Sequence, residues 1–265
     1  MPRGAVVAAL LILAACAAAP AATPPSSVQA AQTPVDASMA QPVPTTLVGY
    51  LKPDAMDGKL ILGPPPTPDS PEGKADRAIY EATRAYEGTA RWREAQIDND
   101  LWGGGAVKRF ACAVGRDISE TGTPAAMRMI HRIELDVRTV GKTTKDFYDR
   151  RRPMVGDTKP ICVPRAAWMD TNASYPSGHS MTGWAWALSL AEIAPDKASA
   201  LALAGREHGF SRTICGVHFA SDVEAGRVLG AAMVARLHAE PAYLSDLKAA
   251  KRELARAPAP AGCGG

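Results

Sequence analysis

After its first nineteen residues, the 265-residue chain has no run of about 18 consecutive apolar residues, the length that a membrane-crossing helix needs. Its charge is nearly balanced, with 30 Lys and Arg against 27 Asp and Glu. No basic run is interleaved with aromatic residues, so the composition argues against nucleic acid as a partner. Alternation of apolar and polar residues is almost absent, which argues against a fold built on β-strands. None of the cysteine spacings is that of a zinc site.

The beginning of the chain is predicted to be a leader and not part of the fold. Residues 1–15 combine a basic start with a short apolar run, which is typical of a secretory signal peptide. The run ends Leu13-Ala14-Ala15-Cys16, which resembles a bacterial lipobox. We therefore expect Cys16 to be lipidated and to become the first mature residue, with ordinary cleavage among residues 15–22 as the alternative. The expected location is the periplasm, with an outer-membrane anchor if Cys16 is acylated.

Residues 16–45 are rich in Ala, Pro, Ser, Thr and Gln and are predicted to be a flexible tether. The rest of the chain has helical periodicity, and we predict an all-α fold. One helical domain is expected over 46–256, followed by a C-terminal tail at 257–265. It opens with an extended segment at 47–66. The predicted helices cover 75–86, 90–98, 106–114, a stretch from Thr123, 143–152, 178–193, 197–210 and 222–239, with Gly226 and Gly230 permitting close helix packing.

Disulfide bonds are compatible with export, because secreted proteins fold in an oxidising compartment. Besides Cys16 the chain contains Cys112, Cys162, Cys215 and Cys263. Four cysteines allow three connectivities, and the sequence leaves all three open.

One twelve-residue segment brings together a cation, a histidine and a carboxylate. Arg212 lies six residues before His218, and Asp222 lies four residues after it. Asp222 can accept the proton of one nitrogen of His218, which leaves the other nitrogen free to attack. Arg212 offers a planar pair of donors for an oxyanion. Ser221 and Glu224 have the spacing of a capping box, which predicts that a helix begins here.

Two earlier motifs add further anion-binding groups. Lys145 and Arg152 are seven residues apart, which predicts that both lie on one helix face. In Pro176-Ser177-Gly178-His179 a turn leads into a helix, and we expect the N–H groups of Ser177 and Gly178 to face outward, toward phosphate oxygens. Taken singly, the pair Lys145 and Arg152 is also typical of a solvated basic face, and the Pro-Ser-Gly-His motif is also typical of an ordinary helix start.

Together the three motifs resemble the signature of the type-2 phosphatidic acid phosphatase superfamily, which includes the vanadium-dependent haloperoxidases. In chain order they read Lys, six residues, Arg-Pro; Pro-Ser-Gly-His; and Ser-Arg, five residues, His, three residues, Asp. The chain is most similar to the bacterial class A non-specific acid phosphatases, over about residues 50–237. The Ile-Cys-Gly-Val-His context of the last motif is part of that similarity.

The resemblance implies a phosphatase with defined roles for these residues. His218 is implied to be the nucleophile that forms a phosphohistidine, Asp222 to orient it, and His179 to protonate the leaving alkoxide. The groups implied to hold the phosphoryl oxygens are Lys145, Arg152, Ser177, Gly178 and Arg212. No metal or cofactor is implied. The expected partners are small phosphomonoesters, with phosphate and vanadate as inhibitors; a membrane is expected through the lipid anchor alone, and a homo-oligomer stays open.

Other functions remain as alternatives. A vanadium haloperoxidase would hold vanadate in the same oxyanion pocket, and peroxide-dependent bromination would distinguish it. A lipid phosphate or diphosphate phosphatase usually carries several membrane spans, although an anchor at Cys16 keeps lipid substrates open. The complete catalytic set argues against a binding module without activity.

Several aromatic residues and histidines outside the motifs are weaker candidates. Trp168 and Tyr175 flank the active-site loop and are candidates for a substrate-binding wall. His208 lies close to the last motif and is a candidate for the pocket lining. His131 and His238 are expected to be structural or exposed.

Overall fold

A computed structural model describes Met1 and residues 46–263. Apart from Met1, the predicted signal peptide, Cys16 and the tether lie outside the described residues. The described part contains helices and no β-strand, so the all-α prediction is confirmed. The helices are α1 (Gly58–Leu62), α2 (Pro71–Thr83), α3 (Ala90–Ile97), α4 (Gly105–Val114), α5 (Pro124–Tyr148), α6 (Trp168–Thr171), α7 (Gly178–Ile193), α8 (Ala198–Cys215), α9 (Ala220–Leu237) and α10 (Pro241–Leu254), with 3-10 turns at Arg84–Tyr86 and Pro195–Lys197.

Helices α7, α8 and α9 pack together at the centre of the domain. Helix α7 is apolar on several sides, and its Met181, Trp186 and Leu190 are fully buried. The glycines of α9 lie directly against α7. A Cβ atom at Gly226 would come within 2.5 Å of the Ser177 carbonyl oxygen, and one at Gly230 within 2.8 Å of that of Met181. The predicted close packing at these glycines is confirmed, and it brings the beginnings of α7 and α9 side by side.

Helix α8 ends at a position where the backbone is left-handed. Gly216, which follows it, has φ of 81°, a conformation that favours glycine. The Arg84 guanidinium satisfies the carbonyl groups at this end, donating to Thr213 at 3.0 Å and to Ile214 at 2.6 Å. This ending sets the position of the residues that follow it in the last motif.

One of the predicted helices is wrong. The prediction placed a helix over 143–152, whereas α5 runs unbroken from Pro124 to Tyr148. Asp149 then adopts φ of 42° and ends the helix. Lys145 therefore lies in the last turn of α5, while Arg152 lies in the loop beyond it. The two residues do not share a helix face.

The C-terminal segment beyond residue 256 is held to the helices by a hydrogen bond and a disulfide. Asp117 N donates to the carbonyl oxygen of Pro258 at 2.8 Å, and Cys263 forms a disulfide with Cys112. The second disulfide joins Cys162 to Cys215. These bonds select one of the three connectivities. Helices α1, α6 and α10 were not predicted, and α1 interrupts the segment expected to be extended. No helix within 46–263 combines the length and the apolar character that crossing a membrane requires.

Candidate active site

The three motifs converge on one cavity of about 700 Å³. His179 at the beginning of α7, Arg212 in the last turn of α8 and His218 just before α9 line it, together with Arg152 from the loop after α5. Arg152, Arg212 and His218 are at most 6% exposed. They therefore define the inner end of the cavity.

His218 presents an unprotonated nitrogen to the cavity. Its Nε2 lies 3.2 Å from Nη1 of Arg152. Because a guanidinium can only donate, we infer that Nε2 accepts and that Nδ1 carries the proton. Nδ1 lies 3.6 Å from Oδ2 of Asp222, which is longer than a hydrogen bond but close enough for attraction. Burial lowers the pKa of His218 well below its usual value, and the charges of Arg152 and Lys145 lower it further.

The Asp222 carboxylate is fully buried and surrounded by donors. It accepts hydrogen bonds from Nη1 of Arg150 at 2.6 Å, from the Phe219 amide at 2.8 Å and from the Ser174 hydroxyl. The Phe219 contact also caps the start of α9. The predicted capping box of Ser221 and Glu224 is therefore wrong, because α9 begins two residues earlier than it requires.

Arg150 joins Asp222 to a second buried carboxylate, Asp76 of α2. Its Nη2 lies 2.8 Å from Oδ2 of Asp76, and its guanidinium carbon lies 4.4 Å from the centre of the Phe219 ring. Asp76 also accepts the Ser221 amide at 2.9 Å and the Ser221 hydroxyl. One cation thus lies between two carboxylates that hold the beginning of α9.

Arg150 was not among the predicted site residues, because a run of three arginines at 150–152 is typical of a solvated helix surface. The helix in fact ends at Tyr148, and the chain is irregular beyond it. Alternate residues of an extended segment point to the same side. Arg150 and Arg152 accordingly point inward while Arg151 is exposed. If the end of α5 had been predicted at Tyr148, the alternation along 150–152 would have indicated that Arg150 points inward together with Arg152.

Two buried arginines supply positive charge at the inner end, in different states of hydrogen bonding. Arg152 donates to the carbonyl oxygens of Asn172 at 2.8 Å and Val217 at 2.9 Å. Arg212 leaves its Nε and Nη1 without a hydrogen-bond partner among residues 46–263. Burial and the charge of Arg152 lower the pKa of Arg212 to about 9, and burial lowers that of Arg152 to about 10. Unpaired buried donors are costly, so this end of the cavity is built for an anion.

Lys145 lies behind the cavity wall and not on its lining. Its Nζ donates to the carbonyl oxygen of Ala173 at 2.7 Å, in the loop that leads to α7. Burial and the charge of Arg152 lower the pKa of Lys145 to about 7. Its ammonium charge is therefore weakly held in the free protein.

The beginning of α7 differs from the prediction at one amide. The Ser177 N–H donates to the Asp222 carbonyl oxygen at 2.9 Å, so the expectation that it faces outward is wrong. The Ser177 hydroxyl caps the helix by accepting the Ser180 amide at 3.4 Å. Gly178 is partly exposed, and a Cβ atom there would meet nothing within 4 Å. Of the two predicted amides, the structure leaves Gly178 open to a ligand.

His179 has one nitrogen fixed by the backbone. Its Nε2 lies 3.1 Å from the carbonyl oxygen of Asn99, which can only accept, so Nε2 carries a proton. Burial lowers the pKa of His179 well below its usual value, and the charge of Arg212 lowers it further. Nδ1 is the nitrogen left for a substrate.

His208 lies behind His179 and does not line the cavity. Their ring centres are 6.2 Å apart, and Nδ1 of His208 is 3.8 Å from Oδ1 of Asp98. Burial raises the pKa of Asp98, but His208 and Arg109 bring it well below its usual value. The prediction that His208 lines the pocket is wrong; it backs the histidine that does.

The remaining candidates divide between the cavity and the core. Trp168 lines the cavity, whereas Tyr175 is buried and donates to the carbonyl oxygen of Gly63. His131 is buried and stacks on Trp102, and His238 pairs with Glu192. In the described part of the chain, no group of three or more His, Cys, Asp and Glu side chains is placed to hold a metal ion.

Comparisons with known proteins indicate the same family as the motifs do. Residues 136–244 match the PAP2 superfamily model. The chain is 36% identical over 203 residues to an acid phosphatase of Zymomonas mobilis, covering 76% of each chain. It is 36% identical over 210 residues to a non-specific acid phosphatase of Providencia stuartii, covering 78% of this chain and 85% of that one.

A solved structure of a transmembrane PAP2-type phosphatidylglycerolphosphate phosphatase from Bacillus subtilis aligns at 20% identity and a TM-score of 0.43, covering 63% of this chain and 86% of that one. That likeness is too weak to carry an argument. The family assignment rests instead on the 36% sequence identity to the two acid phosphatases. The chain belongs to the acid phosphatases of the PAP2 superfamily and is an enzyme of that class.

Proposed function

We propose that the enzyme hydrolyses a broad range of phosphate monoesters through a phosphohistidine at His218. The observation that carries this proposal is the unprotonated Nε2 of His218, which faces a cavity that also contains His179 and the unpaired donors of Arg212. Nε2 attacks phosphorus, and the bond from phosphorus to the ester oxygen breaks. The imidazole, still protonated at Nδ1, becomes a cation that Asp222 stabilises.

His179 is proposed to supply the proton that the departing oxygen needs. Its Nδ1 gives a proton to the leaving alkoxide and later takes one from the water that cleaves the phosphorus–nitrogen bond. The site disfavours a charged His179 when it is empty, but a bound phosphate dianion favours the imidazolium. An alcohol in place of that water would give phosphate transfer.

The cationic side chains and the Gly178 amide at the beginning of α7 are proposed to bind the phosphoryl oxygens. Arg152 and Arg212 provide the donors at the inner end, and the Gly178 amide lies at a positive helix terminus. Lys145 adds charge from behind the wall, and Ser177 fixes the helix start. Since Lys145 has a pKa of about 7, this charge is complete at acidic pH and weakens above neutrality.

Export and anchoring are proposed on the N-terminal sequence alone. The lipobox-like end of the leader supports lipidation of Cys16 and a periplasmic location. Mass spectrometry of the native N-terminus tests this, and an unmodified start among residues 17–23 would rule it out. Vanadate and phosphate are expected to compete with the substrate, because both are tetrahedral anions. No observation favours haloperoxidase or lipid phosphatase activity over this reading.

The test is hydrolysis of a phosphomonoester panel with and without chelator, for the wild type and for His218→Ala. The wild type should hydrolyse the panel equally in chelator and leave an acid-labile phosphoenzyme on rapid quenching. His218→Ala should lose turnover on every ester together with the phosphoenzyme. A phosphoenzyme trapped on the variant would move the nucleophile elsewhere. Activity restored only by a divalent metal would overturn the metal-free reaction.

A further inference from the structure

We propose that the outer part of the cavity is a second anion-binding subsite, in which Arg165 and Arg138 bind a carboxylate or a second phosphate on the alcohol part of the substrate. This rests on the proposed function, since it assigns a substrate class to the same cavity. The inner end accounts for the phosphoryl group alone. The outer subsite would favour one class of ester over another.

The size of the cavity leaves room for such a group. About 700 Å³ lies within the range of pockets that enclose a whole small-molecule ligand, and a phosphoryl group fills a small part of it. Beyond the buried inner end, the lining includes Trp102 and Trp168, so the walls beside the leaving group are largely apolar. Trp168 is 56% exposed, which places it near the mouth.

Arg165 lies at this mouth with its charge uncompensated. It is exposed, and its guanidinium donates to the carbonyl oxygens of Met154 at 3.0 Å and Lys159 at 2.8 Å. Carbonyl groups orient a guanidinium but leave its full charge. The nearby Asp157 carboxylate pairs with Lys159 and Arg77 instead. Within residues 46–263 no carboxylate lies within 4.0 Å of Arg165.

Arg138 contributes a second guanidinium from α5, in a more neutral setting. Its Nε donates to Oε1 of the buried Glu134 at 2.6 Å, and its guanidinium carbon lies 5.7 Å from the centre of the Trp102 ring. Glu134 thus offsets part of its charge while it fixes the side chain on the wall. We therefore expect Arg165 to contribute more than Arg138 to anion binding.

The carboxylate that lines the cavity is already committed to the backbone. Asp100 accepts the amides of Gly103 at 2.6 Å and Gly105 at 3.2 Å, which hold the turn before α4. The described lining therefore combines four arginines with this one carboxylate. Its net charge favours substrates with more than one anionic group.

The test uses two phenyl phosphates that differ at one meta group, a carboxylate in one and a carboxamide in the other. Dividing kcat/KM for the carboxylate by that for the carboxamide, and comparing the quotient between variants, cancels the difference in leaving-group basicity. We expect Arg165→Gln to lower this quotient about twofold to fivefold, the upper part of the range for an exposed charge contact. Arg165→Lys should retain part of it, and Arg138→Gln should lower it less.

Several controls separate this subsite from the proposed reaction. Arg206→Gln changes an exposed arginine away from the cavity lining and should leave the quotient unchanged. Salt should lower the quotient in the wild type and should lower it less in Arg165→Gln, where Arg138 alone remains, even if that variant is less stable. A bisphosphate against its monophosphate would show whether phosphate serves as well as carboxylate. An unchanged quotient in Arg165→Gln and no salt effect in the wild type would overturn the subsite; hydrolysis of neither ester would overturn the proposed function instead.

Discussion

The two histidines of the cavity lie in opposite surroundings. Behind His218, the carboxylate Asp222 has donors from Arg150, Ser174 and the Phe219 amide, and Arg150 is fixed in turn by Asp76. Around His179, Arg212 has two nitrogens without a hydrogen-bond partner in residues 46–263, and the ring nitrogens of His208 make no hydrogen bond there, with Asp98 3.8 Å from its Nδ1.

The region behind His218 is held in place before a ligand binds, whereas the region around His179 has donors that a ligand can still satisfy. A buried carboxylate with charged and neutral donors is held in one orientation, and so is the histidine beside it. Buried donors without partners destabilise the free protein until an anion arrives. We infer that the carboxylate behind the nucleophile is fixed without substrate, whereas the free donors on the acid side gain their partner from the bound phosphate.

After the complete loss expected for His218→Ala, the largest expected effect comes from the acid side. His179→Ala removes the proton donor, and the need for that proton grows with the basicity of the departing oxygen. We expect a loss of about 10² to 10⁴ in kcat/KM on alkyl phosphates and a much smaller loss on nitrophenyl phosphate. The measurement is kcat/KM over esters of graded leaving-group pKa. Equal losses along the whole series would show that His179 is not the acid.

Part of the inner site could be predicted from the sequence, because some of its residues lie close together along the chain. His218 and Asp222 are four residues apart around the start of one helix, so their proximity follows from chain geometry. Arg150 and Asp76 are 74 residues apart, and they meet because α2 and the segment after α5 both contact the beginning of α9. The all-α fold followed from helical periodicity. The end of α5 did not, because the polar run after Thr143 reads equally well as a continued or a new helix.

The next expected effect comes from breaking the nucleophile side. Arg150→Met leaves Asp76 and Asp222 buried without their shared cation. Removing one partner of a buried ion pair costs about 3–5 kcal/mol of the free energy of unfolding, and we expect kcat to fall because His218 loses its fixed orientation. Denaturant unfolding and kcat measure the two effects.

The neighbouring arginine offers a matched control for this variant. Arg151→Met removes an exposed charge one residue away and should change neither quantity beyond about 0.5 kcal/mol. Arg150→Lys should recover part of the stability, since it keeps the charge but loses the two-sided guanidinium contact. If Arg150 only stabilises the fold, folded Arg150→Lys will have the wild-type kcat. A lower kcat with an unchanged leaving-group dependence is the result that a positioning role requires.

The smallest expected effect tests whether the empty site really awaits an anion, through the titration of Lys145. Its pKa is lowered from 10.5 to about 7 by burial and Arg152, so the empty folded site binds fewer protons than the unfolded chain between these values. The stability of the free protein should therefore rise with pH across that window and lose this contribution as pH falls through 7.

A bound dianion reverses this bias, because it favours the charged ammonium. Sulfate keeps its charge between pH 5 and 9, so its affinity reports on the protein alone. We expect its inhibition constant to rise with pH above about 7, by at most about tenfold per unit, in the wild type. Lys145→Met should bind sulfate more weakly and lose most of this slope, whereas Lys145→Arg should keep tight binding to higher pH. A wild-type slope that survives in Lys145→Met would assign the titration to the histidines and leave Lys145 as a structural tie to the Ala173 carbonyl.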